Sequence, residues 1–102
     1  MKTLEVIIVR IYITEKSKLL DAVLHYLYHE AHIRGASVFR AISGFGESGV
    51  HESSLVELSL NLPLAIEFFD VPEKIESALE YLSSIVKSAH IVTWKANMLG
   101  FQ

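Results

Sequence analysis

From Leu4 to Ile13 the chain reads L-E-V-I-I-V-R-I-Y-I, apolar at odd and even positions alike and interrupted only by Glu5 and Arg10. A β-branched run of this kind predicts a strand in the middle of a sheet. The period then changes. At about 100° per residue, Leu20, Val23, Leu24, Leu27 and Ala31 share one stripe, with Asp21, His25, His29 and His32 opposite. This predicts a helix capped by Ser17, running to about Arg34 and stopped by Gly35 at the C′ position. Ser37 to Phe45 alternates as a second strand and Leu62 to Phe69 as a third. Asp70-Val71-Pro72-Glu73 predicts a helix start: Asp at the N-cap, proline in the first turn, and Glu three residues after the Asp. Ile75, Ala78, Leu79, Leu82, Ile85 and Val86 form the apolar stripe of that second helix, and His90 to Met98 alternates as a fourth strand.

The order β-α-β-β-α-β predicts an α+β, ferredoxin-like fold, a four-stranded antiparallel sheet with two helices on one face. Its two central strands are the first and the third, which are also the most apolar. No linker, repeat or low-complexity segment divides the 102 residues, so one domain is expected over 1–102. Two helices cover one side of the sheet, yet strand one is apolar on both sides, with Val6, Ile8 and Tyr12 against Ile7, Val9, Ile11 and Ile13. Strand three repeats this with Leu64, Ile66 and Phe68 against Ala65 and Phe69. A sheet apolar on both faces needs a second cover, and another copy of the chain is the simplest one. A homo-oligomer built through the sheet face is therefore expected. Arg10, Arg40, Glu67 and Lys95, which sit within strands, are its candidate ion pairs across the interface.

Composition sharpens this picture. The chain is 51% hydrophobic and 21% charged, with mean hydropathy +0.36, apolar for so small a soluble protein. No apolar run reaches the roughly 18–20 residues of a membrane helix, so no membrane insertion is expected. The N-terminus enters a strand directly, without a charged and then apolar leader, which argues against secretion. With no cysteine there are no disulfides, thiolate metal sites or thiol chemistry, in keeping with a cytoplasmic protein. Net charge −3 and pI near 5.9 argue against a nucleic-acid surface.

The densest candidate chemistry is the loop Gly44-Phe45-Gly46-Glu47-Ser48-Gly49. Glycines there offer bare backbone N–H groups, and Gly44, Gly46, Glu47, Ser48 and Gly49 are the candidate ligand-binding residues. The formal match to G-x-G-x-x-G is not a dinucleotide fingerprint, because no helix follows to receive a pyrophosphate. Asp21, His25, His29 and His32 share a helix face at spacings that could hold a divalent metal, although that face should point to water. No G-x-S-x-G elbow or other catalytic constellation is present, and an enzyme is not expected. Glu47, His51 and Glu52 are the one acid–base grouping near the loop.

The stretch G-A-S-V-F-R-A-I-S-G-F-G from Gly35 to Gly46, with L-S-L-N-L-P from Leu58 and D-V-P-E-K-I from Asp70, resembles the uncharacterised PII-like proteins catalogued as domain of unknown function 190. At greater distance, Gly-Phe-Gly after strand two is similar to the root of the regulatory T-loop in PII signal-transduction proteins. The resemblance implies a trimer with an adenine nucleotide in clefts between subunits, its phosphates beside Gly44 and Gly46. It also implies a partner protein met through the Gly44–Ser54 loop. The chain departs from PII between the last helix and last strand, where Val86-Lys87-Ser88-Ala89-His90 lacks a second glycine-rich loop. No Lys or Arg lies between Arg40 and Lys74 to meet a phosphate. The alternative is a metal-binding trimer of the divalent-cation-tolerance type, which shares this architecture.

Overall fold

The structure, a computed structural model, describes residues 2–14, 18–42, 44–46, 49–51 and 63–100. Strand β1 (Thr3–Thr14) is followed by helix α1 (Leu19–His25), which runs on into a π-helical turn, Tyr26–Glu30. Then come β2 (Ala36–Arg40), the short strands β3 (Gly44–Gly46) and β4 (Gly49–His51), and β5 (Pro63–Asp70). Helix α2 (Pro72–Leu82), a 3-10 turn (Ser88–His90) and β6 (Ile91–Leu99) complete the order.

The main sheet is antiparallel throughout, in the order β2-β5-β1-β6. The two most apolar strands are thus the central ones, as their sequences predict. Pro63, which cannot donate to a ladder, is tolerated in central β5 because it is that strand's first residue. Val9, Ile11 and Ile13 of β1 and Leu64, Ile66 and Phe68 of β5 project to one side of the sheet. There they pack with Val23 and Leu27 of the first helix and Ile75, Ala78 and Leu82 of the second. Both helices therefore cover the same face. Burying a side chain such as Leu27 or Phe68 contributes about 1.5–3 kcal/mol, so this layer supplies most of the driving force for folding.

The first helix ends differently from its sequence expectation. Ala31 N–H donates to Tyr26 O at 2.9 Å, an i→i+5 bond, and Ile33 N–H donates to Leu27 O at 3.0 Å. Between them His32 takes φ of 52°, so the left-handed stop is His32 and not Gly35. Histidine is among the residues that tolerate this region, and Gly35 simply continues the exit. The extra residue in the π turn keeps Leu27 and Ile33 buried while turning Tyr28, His29 and Glu30 outward. The expected cap Ser17 lies outside the described residues.

The second helix is capped by Val71 rather than Asp70, which is the last residue of β5. Asp70 is nonetheless the side chain that joins the parts. Only 2% exposed, its carboxylate accepts the Val71 N–H at 2.8 Å and the Arg34 N–H at 3.1 Å. Arg34 Nε lies 3.6 Å and Lys74 Nζ 3.8 Å away, and Lys74 also donates to His32 O at 2.8 Å. One buried carboxylate thus holds the exit of the first helix, the end of β5 and the first turn of α2. A buried charge is tolerable only when its lone pairs are taken up in this way.

Two further corrections concern the strands. The expected second strand, Ser37 to Phe45, divides: β2 stops at Arg40, and Gly44–Gly46 pairs instead with Gly49–His51 in a separate two-stranded ribbon. Of the four strand charges, only Arg10 and Glu67 project from the uncovered face. Arg40 stands opposite Leu64 and Lys95 opposite Ile7, so both belong to the helix side at the sheet edges.

Asp70→Ala should destabilise the fold by about 3 kcal/mol, because it leaves two backbone donors and two cations without their acceptor. That corresponds to a melting temperature lower by roughly 12–24 °C for a domain of this size, measured at fixed protein concentration. Glu80→Ala on the solvent side of α2 should stay within about 0.5 kcal/mol of wild type. Equal losses from the two substitutions would remove the clamp assigned to Asp70.

Tyr26 stacks on Tyr81 across the two helices, ring centroids 4.1 Å apart. Burial chiefly, then the negative charge of Glu30 and the neighbouring Tyr81, raises the Tyr26 pKa above the ordinary 10.0. The folded protein then holds a proton that the unfolded chain has lost once pH passes the ordinary value. This contribution is complete below about pH 10 and is lost as pH rises through the folded value. Denaturant unfolding between pH 9 and 11 should show stability falling with pH, and Tyr26→Phe should flatten that slope. An unchanged slope in Tyr26→Phe would assign the alkaline loss to other groups.

Candidate functional site

Two places collect the residues that the sequence singles out. The first is the glycine ribbon. Gly44 stands opposite His51, Phe45 opposite Val50 and Gly46 opposite Gly49. The sequence predicts an open loop here, and the structure instead pairs its two arms. The pair Gly46–Gly49 carries no side chain on either strand. Glu47 and Ser48, the two residues between the arms, lie outside the described residues, as do Glu52, Ser53 and Ser54. His51 is on β4, and its grouping with Glu47 and Glu52 falls outside as well.

The second is the histidine face of the first helix. His25 and His29 meet, ring centroids 4.5 Å apart, and Tyr28 sits edge-on to His29 at 4.8 Å. Asp21, His25, His29 and His32 are all exposed. The π turn and the left-handed His32 end the regular i, i+4 stacking, so His32 has left the helix before it could join the pair. Among the described residues no three His, Cys, Asp or Glu side chains gather closely enough to hold a metal ion.

The uncovered face of the sheet is the feature with the strongest chemistry of its own. Strand register lays it out in rows. Phe39, Ala65 and Tyr12 form one; Ser37, Glu67, Arg10 and Val92 the next; Phe69, Ile8 and Trp94 a third. Phe39 is 51% exposed, Val92 46%, Tyr12 43% and Trp94 41%, a contiguous aromatic and aliphatic surface. Strand β6 carries the pattern to the sheet edge. Val92, Trp94, Ala96 and Met98 face this open side, whereas Thr93, Lys95 and Asn97 face the side that carries the helices. An edge strand that turns its apolar residues away from the helices is matched to a cover on the other side.

In the middle row Arg10 and Glu67 are direct cross-strand neighbours. Arg10 Nε donates to Glu67 Oε1 at 3.1 Å and Nη2 donates to the same oxygen at 2.5 Å. The guanidinium carbon is 5.8 Å from the centre of the Trp94 ring. The Glu67 hydrogen bond, and after it that of Tyr12, hold the Arg10 pKa above its ordinary value. The sequence suggests pairing of these charges between subunits; the register places them together within one. That signal could not be found without knowing which residue of β5 stands opposite Arg10.

Comparison with known proteins places this architecture. Residues 6–98 match the family of domain of unknown function 190, described as an uncharacterised ACR. A UPF0166 protein of Methanocaldococcus jannaschii is 33% identical over 90 residues, spanning 83% of this chain and 82% of the relative. One of Aquifex aeolicus is 40% identical over 52 residues, half of each chain. Among solved structures, CPII of Thiomonas intermedia, bound to ADP and bicarbonate, superposes with a TM-score of 0.72 at 18% identity, covering 95% of this chain and 91% of CPII. A putative PII-like signalling protein of Thermus thermophilus gives 0.63 at 14% identity, covering 96% and 91%. The divalent ion tolerance protein CutA1 of Ehrlichia chaffeensis gives 0.59 at 13% identity, covering 95% and 84%. With a family match across nearly the whole sequence and a PII-like fold to go with it, this chain belongs to the uncharacterised family of domain of unknown function 190.

Proposed function

We propose that this protein is a cytoplasmic PII-like sensor, a homotrimer assembled through the uncovered sheet face. It binds a small ligand, an adenine nucleotide in the first instance, at clefts between subunits. The observation that carries the reading is the inverted alternation of β6, whose apolar side faces away from the helices. It calls for a cover that the described residues do not supply, and a ring of copies would put ligand sites at the seams. The number three comes from the PII resemblance. The nucleotide is supported by the likeness of fold to CPII bound to ADP and bicarbonate. Gly44, Gly46 and Gly49 supply main-chain contacts in this reading, joined by Glu47 and Ser48. The Gly44–Ser54 segment then carries the ligand state to a partner protein. No catalytic step is assigned.

Assembly has a direct test. Light scattering at micromolar concentration should return three times the 11.5 kDa subunit mass. Trp94→Asp should give a folded monomer, since Trp94 is already part-exposed within the subunit and its replacement harms only the face. A wild-type monomer would end the oligomer reading.

Ligand binding is tested separately by hydrogen exchange during titration with ADP, ATP and bicarbonate. Amides of Gly44–Gly46 and Gly49–His51 should become at least tenfold better protected. An exchange profile unchanged across adenine nucleotides and small anions would refute the sensor reading. Tight zinc binding that is lost in a His25→Ala/His29→Ala variant would transfer the ligand role to the helix face and to the metal alternative.

A further inference from the structure

Arg10 and Glu67 are the only charged residues that the described strands project onto the uncovered face. They stand at its centre, on the two central strands, with apolar rows on either side. Each is already provided for within the subunit. Two guanidinium nitrogens donate to Glu67, and the Trp94 ring lies beside the cation. We infer that this pair is a self-contained neutral unit which lets the face be dehydrated against a second copy of the chain, with no charge pairing between subunits.

The inference rests on the sheet-face assembly proposed above and specifies its chemistry. Among the described residues the face carries one positive and one negative charge that pair with each other, so these residues offer a charged partner no unpaired charge to complement. Its large apolar residues, Phe39, Tyr12, Ile8, Phe69, Val92 and Trp94, match a surface of the same apolar kind, and the copy's own face is such a surface. Taking one charge into an interface without its partner is heavily unfavourable, whereas replacing a complete buried pair by apolar residues is often neutral or stabilising. The two possible roles of the pair therefore give opposite results. A pair closed within the subunit is dispensable as a unit but not by halves. A pair that reaches across the interface is instead partly restored when the two single variants are mixed, because Arg10 of one copy then meets Glu67 of another.

The experiment is sedimentation equilibrium of wild type, Arg10→Met, Glu67→Met and the double variant Arg10→Met/Glu67→Met, each checked for folding by circular dichroism. Both single variants should weaken self-association at least tenfold, by leaving the other charge without its partner. The double variant should associate at least as tightly as wild type. Should a single variant fail to fold, the double variant still decides. Self-association restored by mixing the two single variants, or a double variant that is folded but dissociated, overturns the inference and makes the charges intersubunit contacts. Wild type that is itself monomeric fails the assembly reading instead, so the two failures are told apart.

Discussion

The Asp70 carboxylate is the point at which the separate layers of this fold become one. It closes β5, accepts the first N–H beyond that strand, accepts the Arg34 N–H where the first helix leaves its π turn, and sits between two cations. Without it the chain would meet three awkward demands in one small volume. The turn into α2 would have a part-buried unpaired donor, the Arg34 N–H at the exit of the first helix would lose its acceptor, and Lys74 would keep only its bond to His32 O. The apolar stripes bring the helices onto the sheet, but such packing is non-directional. Hydrogen bonds of fixed length to one carboxylate are what set where each helix begins and ends.

The helix layer in turn leaves a constraint on the other side. A twisted four-stranded sheet buries one face under two helices, and the residues between those buried ones necessarily face outward. In this chain most of them are aromatic or aliphatic, with Ser37, Arg10 and Glu67 as polar exceptions. Strand β6 goes further, with its polar residues on the helix side. The two charges that the described strands place on the open face are adjacent and paired. This surface and the glycine ribbon belong to different parts of the chain: one presents apolar side chains on a sheet, the other pairs Gly46 with Gly49, where neither strand carries a side chain.

Much of this is legible in the sequence, and the legible parts share a cause. Periodicity reports which face of an element is buried, so the strand order, both helical stripes and the two-sided apolar character of β1 and β5 can be read from residue spacing. The domain-of-unknown-function family is legible for a related reason, since Gly-Phe-Gly, the Leu-Pro before β5 and the D-V-P-E helix start are local combinations. Where local reading goes astray, a competing local structure has won. Glycine is the usual left-handed residue, so the sequence points to Gly35 as the stop of the first helix. A π turn, which no residue in Tyr26–Glu30 announces, brings His32 into that position first. The same turn separates His32 from His25 and His29 and undoes the spacing on which a metal site would depend.

The sequence by itself determined the class of fold, the elements and the apolar excess on the sheet, because these follow from the order of side chains along one strand or helix. Only the tertiary structure decided which residues meet. That Arg10 stands against Glu67 within the one chain depends on the register of β1 and β5. That Gly44–Gly46 leaves the main sheet for a ribbon with Gly49–His51 depends on which strand is free to pair. That Asp70 serves three elements instead of capping one helix depends on where the first helix ends. Each is a contact between residues distant in the chain, and spacing within a segment carries no information about what a neighbouring segment will place opposite it.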